Sequence, residues 1–262
     1  AETGRRMTVG LRSVVEDARG QPSVGASRPA PRLSLLWSFE LTCGGRRVTL
    51  PMSAQRLLAF LALHERPVRR AFVAGSLWMD SSEEHAAGSL RSVIWRIRGV
   101  PHPLIETTGS ELALHGSVWV DLYETRRLAE RVTAGTVDGD DLDPWSLVFH
   151  GDLLPQWYEE WLVVERERFR QLRLRTLESM SELLAASGRY AEAMEAALAA
   201  VSAEPLRESA HRAVILVHLA EGNHAEAIRQ CRMYRRLLRD ELGAEPSPRI
   251  EQLVDRLRVR AS

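Results

Sequence analysis

The most regular hydrophobic pattern in the chain lies in Ser81–Arg98. Its apolar residues recur at spacings of three and four, which predicts an amphipathic helix that packs on a core through Leu90, Val93, Ile94 and Ile97. The opposite side is predicted to face solvent and carries Ser89, Arg91, Ser92, Trp95, Arg96 and Arg98. Ser81 and Glu84 have the spacing of a capping box, so this helix is predicted to begin at Ser81.

Two further helical patterns precede this segment, at Ser53–Glu65 and Arg70–Met79. After it, the alternating residues of Leu104–Leu114 predict two short strands joined at Gly109-Ser110, where glycine suits a tight hairpin turn. Ahead of all three helices, residues 33–50 have the pattern of a strand, a glycine turn and a second strand. The order of three helices and a hairpin is typical of a winged helix-turn-helix.

Arginine dominates the exposed side of the Ser81–Arg98 helix. No acidic residue interrupts Ala86–Gly99, the stretch that contains Arg91, Arg96 and Arg98. A guanidinium group can bind a phosphate or, through two hydrogen bonds, a guanine base. The pattern therefore predicts a DNA recognition helix that lies in the major groove. An ordinary amphipathic helix with a solvated basic face is the alternative that this pattern alone leaves open.

The second half of the chain has a helical pattern. Asp121 and Glu124 begin a predicted helix that runs to about Thr133. A short acidic loop and an apolar segment follow, over residues 136–155. Trp157–Ser187 is predicted to form one long helix or two in line, with a buried side made of Trp161, Val164, Phe169, Leu172, Leu177, Met180 and Leu184.

A sequence repeat follows this long helical pattern. Gly188–Ala193 (GRYAEA) and Gly222–Ala227 (GNHAEA) begin 34 residues apart, which is the period of tetratricopeptide helical hairpins. Ala200 and Pro205 occupy the positions where this repeat has its second small residue and its terminating proline, although the second unit departs from the pattern there. The repeat predicts paired helices that stack into a surface suited to binding other proteins.

Length and charge limit the class of protein. The 262 residues are enough for two domains, each with its own core. The formal net charge is zero, so attraction to a polyanion must come from local clusters of charge. All 35 basic residues are arginine, and a Walker-type phosphate loop is excluded because it requires lysine. The same bias is typical of GC-rich coding DNA, so arginine content by itself is weak evidence for nucleic-acid binding.

The sequence contains no recognisable catalytic or metal-binding pattern. His211 and His218 lack a carboxylate or cysteine at ligand spacing, so we expect them to be surface or packing residues. There is no G-x-S-x-G motif, and we expect neither an enzyme nor a cofactor.

Cys43 and Cys231 stand far apart, which indicates a reduced, cytoplasmic protein without disulfides. No apolar run is long enough to span a membrane, and no secretion signal is expected.

The motifs resemble those of the Streptomyces antibiotic regulatory protein family, whose DNA-binding domain is a winged helix similar to that of response regulators. The resemblance rests on Gln55-Arg56-Leu57-Leu58, on Leu77-Trp78 and on Ile94-Trp95-Arg96-Ile97-Arg98. It continues at Leu238–Pro248 (LRDELGAEPSP), which is similar to the end of the bacterial transcriptional activator domain in that family. We therefore predict further DNA contacts from Gln55 and Arg56 in the first helix and from Thr107 and Thr108 in the wing.

Three positions depart from the family pattern. Ala54 stands where the family often has lysine, and the bulky Trp95 stands where it often has serine. The wing, Thr107–Glu111, has no basic residue where the family commonly has one. Glu111 close to phosphates would repel them, which argues against a wing that binds the minor groove.

Taken with the resemblance, the sequence predicts a mainly α protein with a small β component. The predicted parts are a flexible tail (1–31), a winged helix-turn-helix (32–119) and a bacterial transcriptional activator domain of tetratricopeptide-like repeats (120–262). Residues 32–119 are expected to bind DNA alone, but weakly.

The resemblance implies a particular function for such a protein. It implies an activator of an antibiotic gene cluster that binds direct repeats in double-stranded promoter DNA as a tandem dimer. It also implies that the activator contacts RNA polymerase through the sigma factor. The alternative is an adaptor whose repeats bind a peptide and whose winged helix no longer binds DNA.

Overall fold

The computed structural model of the protein describes residues 29–139 and 151–259. Within these ranges the strands are β1 Arg32–Ser34, β2 Glu40–Cys43, β3 Arg46–Arg47, β4 Val68–Arg69, β5 Ile105–Thr108, β6 Glu111–Leu114 and β7 Trp119–Val120. The helices are α1 Met52–His64, α2 Arg70–Leu77, α3 Glu83–Ile97, α4 Asp121–Thr133, α5 Glu160–Ala186, α6 Tyr190–Ala203, α7 Glu208–Glu221, α8 His224–Leu242 and α9 Pro248–Val259. The predicted class, mainly helical with a small β component, is confirmed.

A four-stranded sheet opens the described chain, in the order β3-β2-β1-β7. Leu33 of β1 lies opposite Leu41 of the antiparallel β2 and opposite Val120 of the parallel β7, and all three side chains are buried. The predicted strand, turn and strand are confirmed, and Gly44 and Gly45 both have the positive φ that the turn requires. Because β7 follows the wing in sequence, this sheet joins the two ends of the winged helix.

Helix α1 is the centre of the first half of the protein. Nearly its whole circumference is buried, including every residue from Leu57 to Leu63. Such a helix has no solvent face, because other elements cover it on several sides. Here α2, α3 and β6 pack against it. The three predicted helices are confirmed to within two residues at each end.

The wing is a three-stranded sheet in the order β4-β6-β5. The predicted hairpin is formed by β5 and β6, and the turn contains Gly109 with a φ of 57°. The two-residue strand β4, which lies just before α2, pairs antiparallel with β6. The sequence does not indicate this third strand, because two residues are too few to show an alternating pattern.

The core of the first half is completed by residues of the second half. Leu153, Leu154, Trp157, Leu162 and Phe169 belong to the same buried cluster as the side chains of β1, α1 and α3. Backbone contacts accompany this packing, because Leu154 N–H donates to the carbonyl of Leu35 at 2.9 Å. The hydrophobic core therefore crosses the predicted domain boundary between residues 119 and 120.

Polar contacts reinforce the junction between the two halves. The buried carboxylate of Asp121, at the start of α4, accepts hydrogen bonds from the backbone N–H groups of Leu35 and Leu36 at 2.9–3.2 Å. Tyr123 donates to the carbonyl of Ala62 at 2.8 Å, and burial, together with the nearby Glu65 carboxylate, raises the pKa of Tyr123 to about 12. These contacts hold α4 firmly against the winged helix.

The predicted repeat consists of two helical hairpins, α5 with α6 and α7 with α8. Gly188 and Gly222 are in the left-handed conformation, with φ of 75° and 86°, and make the turn that precedes the second helix of each pair. In the first hairpin Ala193 and Ala200 are buried where the helices cross. In the second, Tyr234 stands in place of the second alanine and stacks on His211, with ring centroids 4.3 Å apart. The predicted repeat is therefore confirmed.

Helix α5 is a single helix of 27 residues, which decides between the two predicted arrangements. Phe169, Leu177, Met180 and Leu184 are buried as predicted, whereas Val164 is 57% exposed and its predicted burial is wrong. The first turns of α5 pack on the core of the winged helix through Leu162, which turns Val164 outward. Despite this length, no helix within the described residues is both long and apolar enough to cross a membrane.

Candidate nucleic-acid interface

The N-cap of helix α3 lies one residue later than predicted. Ser82, and not Ser81, is the N-cap, and its hydroxyl accepts a hydrogen bond from the backbone N–H of His85 at 3.4 Å. Glu83 and Glu84 lie in the first turn, where negative charge is favourable next to the helix dipole. The acids of α3 therefore occupy one end, and its arginines lie in the middle and at the other end.

The two predicted sides of α3 are confirmed. The inner side is buried and contains Ala86, Leu90, Val93, Ile94 and Ile97. On the outer side Arg91, Ser92, Arg96 and Arg98 are exposed, Ser89 is partly buried, and Trp95 is 76% exposed. An exposed tryptophan among arginines is uncommon on a surface that faces only water, because its large apolar area remains unburied.

Three arginines lie on the exposed side of α3 and at its C-cap. Within the part of the chain that the structure describes, Arg91, Arg96 and Arg98 form no ion pair, and α3 has no acid after its first turn. Several arginines of the helical half are paired instead, as in Arg207–Glu178 at 2.6 Å and Arg168–Glu165 at 2.6 Å. A chain with no net charge thus concentrates uncompensated positive charge on the exposed side of α3.

Arg96 and Arg98 line two different concavities on either side of α3. Arg96 lines a cleft of about 580 Å³ together with Arg91, Ser92, Ser53 of α1 and Trp78 after α2, and Glu84 of the first turn lines the same cleft. Arg98 lines a smaller cavity of about 240 Å³, which it shares with Thr107 of the wing. The two guanidinium groups therefore serve different sides of the helix, as expected from the single buried residue, Ile97, between them.

The wing places the two predicted threonines on opposite faces of its sheet. Thr107 lies opposite the buried Leu112, beside the cavity that contains Arg98. Thr108 is exposed next to the turn and lies opposite Glu111. Thr107 is therefore brought together with the end of α3, and Thr108 with the tip of the wing.

Gln55 and Arg56 are not part of this surface. Gln55 donates from Nε2 to the carbonyl of Leu50 at 2.8 Å. Arg56 donates from Nη2 to the carbonyl of Leu77 at 2.8 Å, and the same nitrogen lies 2.7 Å from a carboxylate oxygen of Glu159. These contacts fix the start of α1, the end of α2 and the segment before α5, so both side chains have structural partners and we leave them out of the DNA surface.

Two residues that line this cleft are not among the predicted DNA-binding residues. Ser53 and Trp78 line the cleft beside Arg96, although they come from α1 and from the end of α2. Trp78 belongs to the family-like pair Leu77-Trp78, which was a signal, but nothing in the sequence places Ser53 beside α3. Within the described residues no group of three or more His, Cys, Asp and Glu side chains could hold a metal ion.

The fold and this surface define a class, a winged helix-turn-helix joined to helical hairpin repeats. The sequence profile of the bacterial transcriptional activator domain matches residues 124–258, and the chain belongs to that family. The match begins four residues after the predicted boundary at residue 120.

Comparison with known proteins identifies relatives of both halves together. The chain is 28% identical over 254 residues to the regulatory protein AfsR of Streptomyces coelicolor and 25% identical over 250 residues to AfsR of Streptomyces griseus. These alignments cover 91% and 90% of this chain, but the chain spans only about a quarter of the length of either relative. The resemblance to the Streptomyces antibiotic regulatory proteins is therefore confirmed.

A solved structure has the same fold. Mycobacterium tuberculosis EmbR, determined in complex with a low-affinity phosphopeptide, superposes with a TM-score of 0.71 at 18% sequence identity. The superposition covers 88% of this chain and 65% of the EmbR chain. At this identity the similarity supports the arrangement of the winged helix and the repeats as one fold.

Proposed function

We propose that the protein is a sequence-specific DNA-binding transcriptional activator whose helix α3 lies in the major groove. The observation that supports this most strongly is the exposed side of α3, where Arg91, Arg96 and Arg98 lack acidic partners among the described residues. Unpaired arginines on an exposed helix can neutralise phosphates and donate to base edges without first breaking an ion pair.

The proposal gives Arg96 and Arg98 different roles. Arg96 follows Ser92 by one turn, and the small serine lets the helix approach the bases closely. Arg96 therefore contacts a base edge, and Arg98, beside the wing strand, contacts a phosphate. Ser89, Arg91, Trp95, Thr107 and Thr108 complete the proposed DNA surface.

The helical half supplies the contact with other proteins. Its hairpins stack as repeats, which suits protein binding, and the shared core fixes their orientation relative to the winged helix. A rigid connection transmits the position of the DNA site to a partner such as RNA polymerase holoenzyme. We propose that this half contacts the polymerase at its sigma factor, and that the regulated genes belong to an antibiotic cluster.

One copy of this surface offers few phosphate contacts, so two copies are proposed to bind in tandem on direct repeats. Half-sites roughly one helical turn apart would place both copies on one side of the duplex. Coupled binding of two weak modules raises the overall affinity without new contacts.

Selection from a randomised duplex library with the full chain, followed by dimethyl sulfate protection, tests this function. We expect enrichment of two direct repeats whose guanines are protected at N7, the atom that faces the major groove. A library without enrichment would refute DNA recognition and favour the adaptor. Protection confined to the minor groove would remove α3 from its proposed place.

A further inference from the structure

We propose that Arg69, on strand β4, is a second phosphate-binding group that supplies the positive charge absent from the wing hairpin. This inference rests on the proposed function, because it concerns the same DNA surface. The hairpin itself, Ile105–Leu114, carries Glu106 and Glu111 and no basic residue. A wing with this composition repels a duplex unless a neighbouring element offsets its charge.

The sheet brings Arg69 to the tip of the wing. Arg69 of β4 lies opposite Glu111 of β6, which in turn lies opposite Thr108 of β5. Opposite residues on neighbouring strands project from the same face of a sheet, and neighbouring strands are about 4.8 Å apart. The three residues therefore form one row, next to the turn at Gly109.

A backbone hydrogen bond fixes this position. The N–H of Arg70, the first residue of α2, donates to the carbonyl of Ser110 in the wing turn at 2.8 Å. This bond joins the start of α2 to the wing tip and places the backbone of Arg69 at the level of the turn. The exposed side chain of Arg69 extends from this position.

Arg69 is available for an external anion. Its side chain is exposed, and within the described residues it forms no ion pair, not even with the adjacent Glu111. Arg66, three residues earlier, is also exposed and has no acidic partner there. The edge of the wing sheet therefore carries positive charge that the hairpin sequence does not show.

The position relative to α3 decides which part of DNA Arg69 contacts. Arg98 and Thr107 line one cavity, so strand β5 lies beside the end of α3. Arg69 lies on the exposed side of the same sheet, two strands from β5, which is about 10 Å across the sheet. With α3 in the major groove, a group at this distance contacts the sugar-phosphate backbone, and its contribution does not depend on base sequence.

Fluorescence anisotropy with the full chain tests this inference. The probes are the duplex selected by the protein and a random duplex, titrated at several salt concentrations. We expect Arg69→Ala to weaken both complexes about three- to tenfold and to reduce the salt dependence by about one phosphate contact. Arg69→Lys should retain the wild-type salt dependence. The matched control is Arg229→Ala, since Arg229 is 76% exposed and its one ion pair within the described residues is with Glu226 on its own helix.

A second variant probes the same row from the acidic side. Glu111→Gln removes a negative charge beside Arg69, so both duplexes should bind more tightly. The role of Arg69 would be overturned if Arg69→Ala kept wild-type affinity and salt dependence. If Arg96→Ala were still impaired on the selected duplex, recognition by α3 would stand. Salt-independent binding by the wild-type chain would overturn the proposed function and this inference together.

Discussion

Arg96 and Arg98 illustrate how one buried residue separates two chemical roles. Ile97 anchors α3 to the core, and the arginines on either side leave the helix in different directions, toward the cleft beside Trp78 and toward the wing. A base edge and a phosphate lie in different directions from a helix in the major groove. Two arginines at this spacing are therefore suited to one contact of each kind, as we propose.

We expect Arg96→Ala to weaken binding to the selected duplex by about 1–3 kcal/mol and to reduce discrimination at one base position. Arg98→Ala should weaken specific and random duplexes alike, because a phosphate contact carries no sequence information. Dissociation constants for both duplexes provide the measurement, with Arg229→Ala as the control. Wild-type affinities in both variants would show that α3 is not in the groove.

Ser92 tests the orientation of α3. Its hydroxyl donates only to the carbonyl of Gly88 within the same helix, at 3.1 Å, and it is exposed. Ser92→Glu should reduce DNA binding at least tenfold, because the new carboxylate faces phosphates and pairs with Arg96 one turn later. The helix should remain intact by circular dichroism.

Ser92→Gln is the matched control, since it adds the same volume without the charge and loses the same hydroxyl. It should bind DNA more tightly than Ser92→Glu. Equal binding by the two variants, at wild-type strength, would mean that this side of α3 faces away from DNA.

At the scale of elements, local patterns predicted α3, the hairpin and the 34-residue repeat, because each rests on contacts between residues close in sequence. The cap at Ser82 was missed by one residue, since Ser81 and Ser82 are equally good capping residues. Strand β4 was missed because its partner, β6, lies more than 40 residues away in the chain. The basic edge of the wing depends on that pairing, so the hairpin sequence alone suggested a wing without positive charge.

His211 joins α7, α8 and the loop between α6 and α7. Its Nε2 lies 2.8 Å from the Pro205 carbonyl, and its Nδ1 lies 2.9 Å from Nε2 of Gln230. The carbonyl requires a proton on Nε2 and the amide donor requires a bare Nδ1, which together describe a neutral ring. Burial lowers the pKa of His211 below its ordinary value of 6.5. The expectation of a packing residue is therefore confirmed.

We expect the free energy of unfolding to fall as the pH drops below 6.5. The unfolded chain then binds a proton on this histidine that the folded chain does not bind until a lower pH, so acid favours unfolding. The contribution is complete above pH 6.5. Urea unfolding of wild type and His211→Gln at pH 7.5 and 6.0 measures it, and the variant should lose less stability between the two. An equal loss in both proteins would contradict a neutral buried ring.

At the scale of the whole molecule, the two halves share one core. The sequence predicted a boundary near residue 120, and the matched family begins at residue 124, yet Leu153, Leu154 and Trp157 pack among residues of the winged helix. Such contacts join residues more than 100 positions apart, and no periodicity reveals them. That residues 32–119 bind DNA alone stays a prediction, and we expect this fragment to be less stable than the full chain because it lacks these side chains and the carboxylate of Asp121.

A substitution at Asp121 tests how much its hydrogen bonds stabilise this junction. Asp121→Ala leaves buried backbone N–H groups of Leu35 and Leu36 without an acceptor, at a cost of about 1–3 kcal/mol each. We expect a loss of about 2–6 kcal/mol in the free energy of unfolding, from urea denaturation. Glu124→Ala is the control, because that exposed carboxylate pairs, among residues 29–139 and 151–259, with Arg127 alone; the substitution should cost less than about 1 kcal/mol. Equal effects would show that the hydrogen bonds of Asp121 do not stabilise this junction.

The salt dependence of DNA binding tests the central claim most directly, that α3 holds DNA through its arginines. The comparison is between the full chain and a triple variant, Arg91→Ala with Arg96→Ala and Arg98→Ala, on the selected duplex. We predict that wild-type affinity falls steeply with salt concentration. The triple variant should lose specific binding, and its plot of log affinity against log salt concentration should be shallower by at least about 0.9, the slope of one phosphate contact. A triple variant with wild-type helicity, affinity and slope would contradict the account.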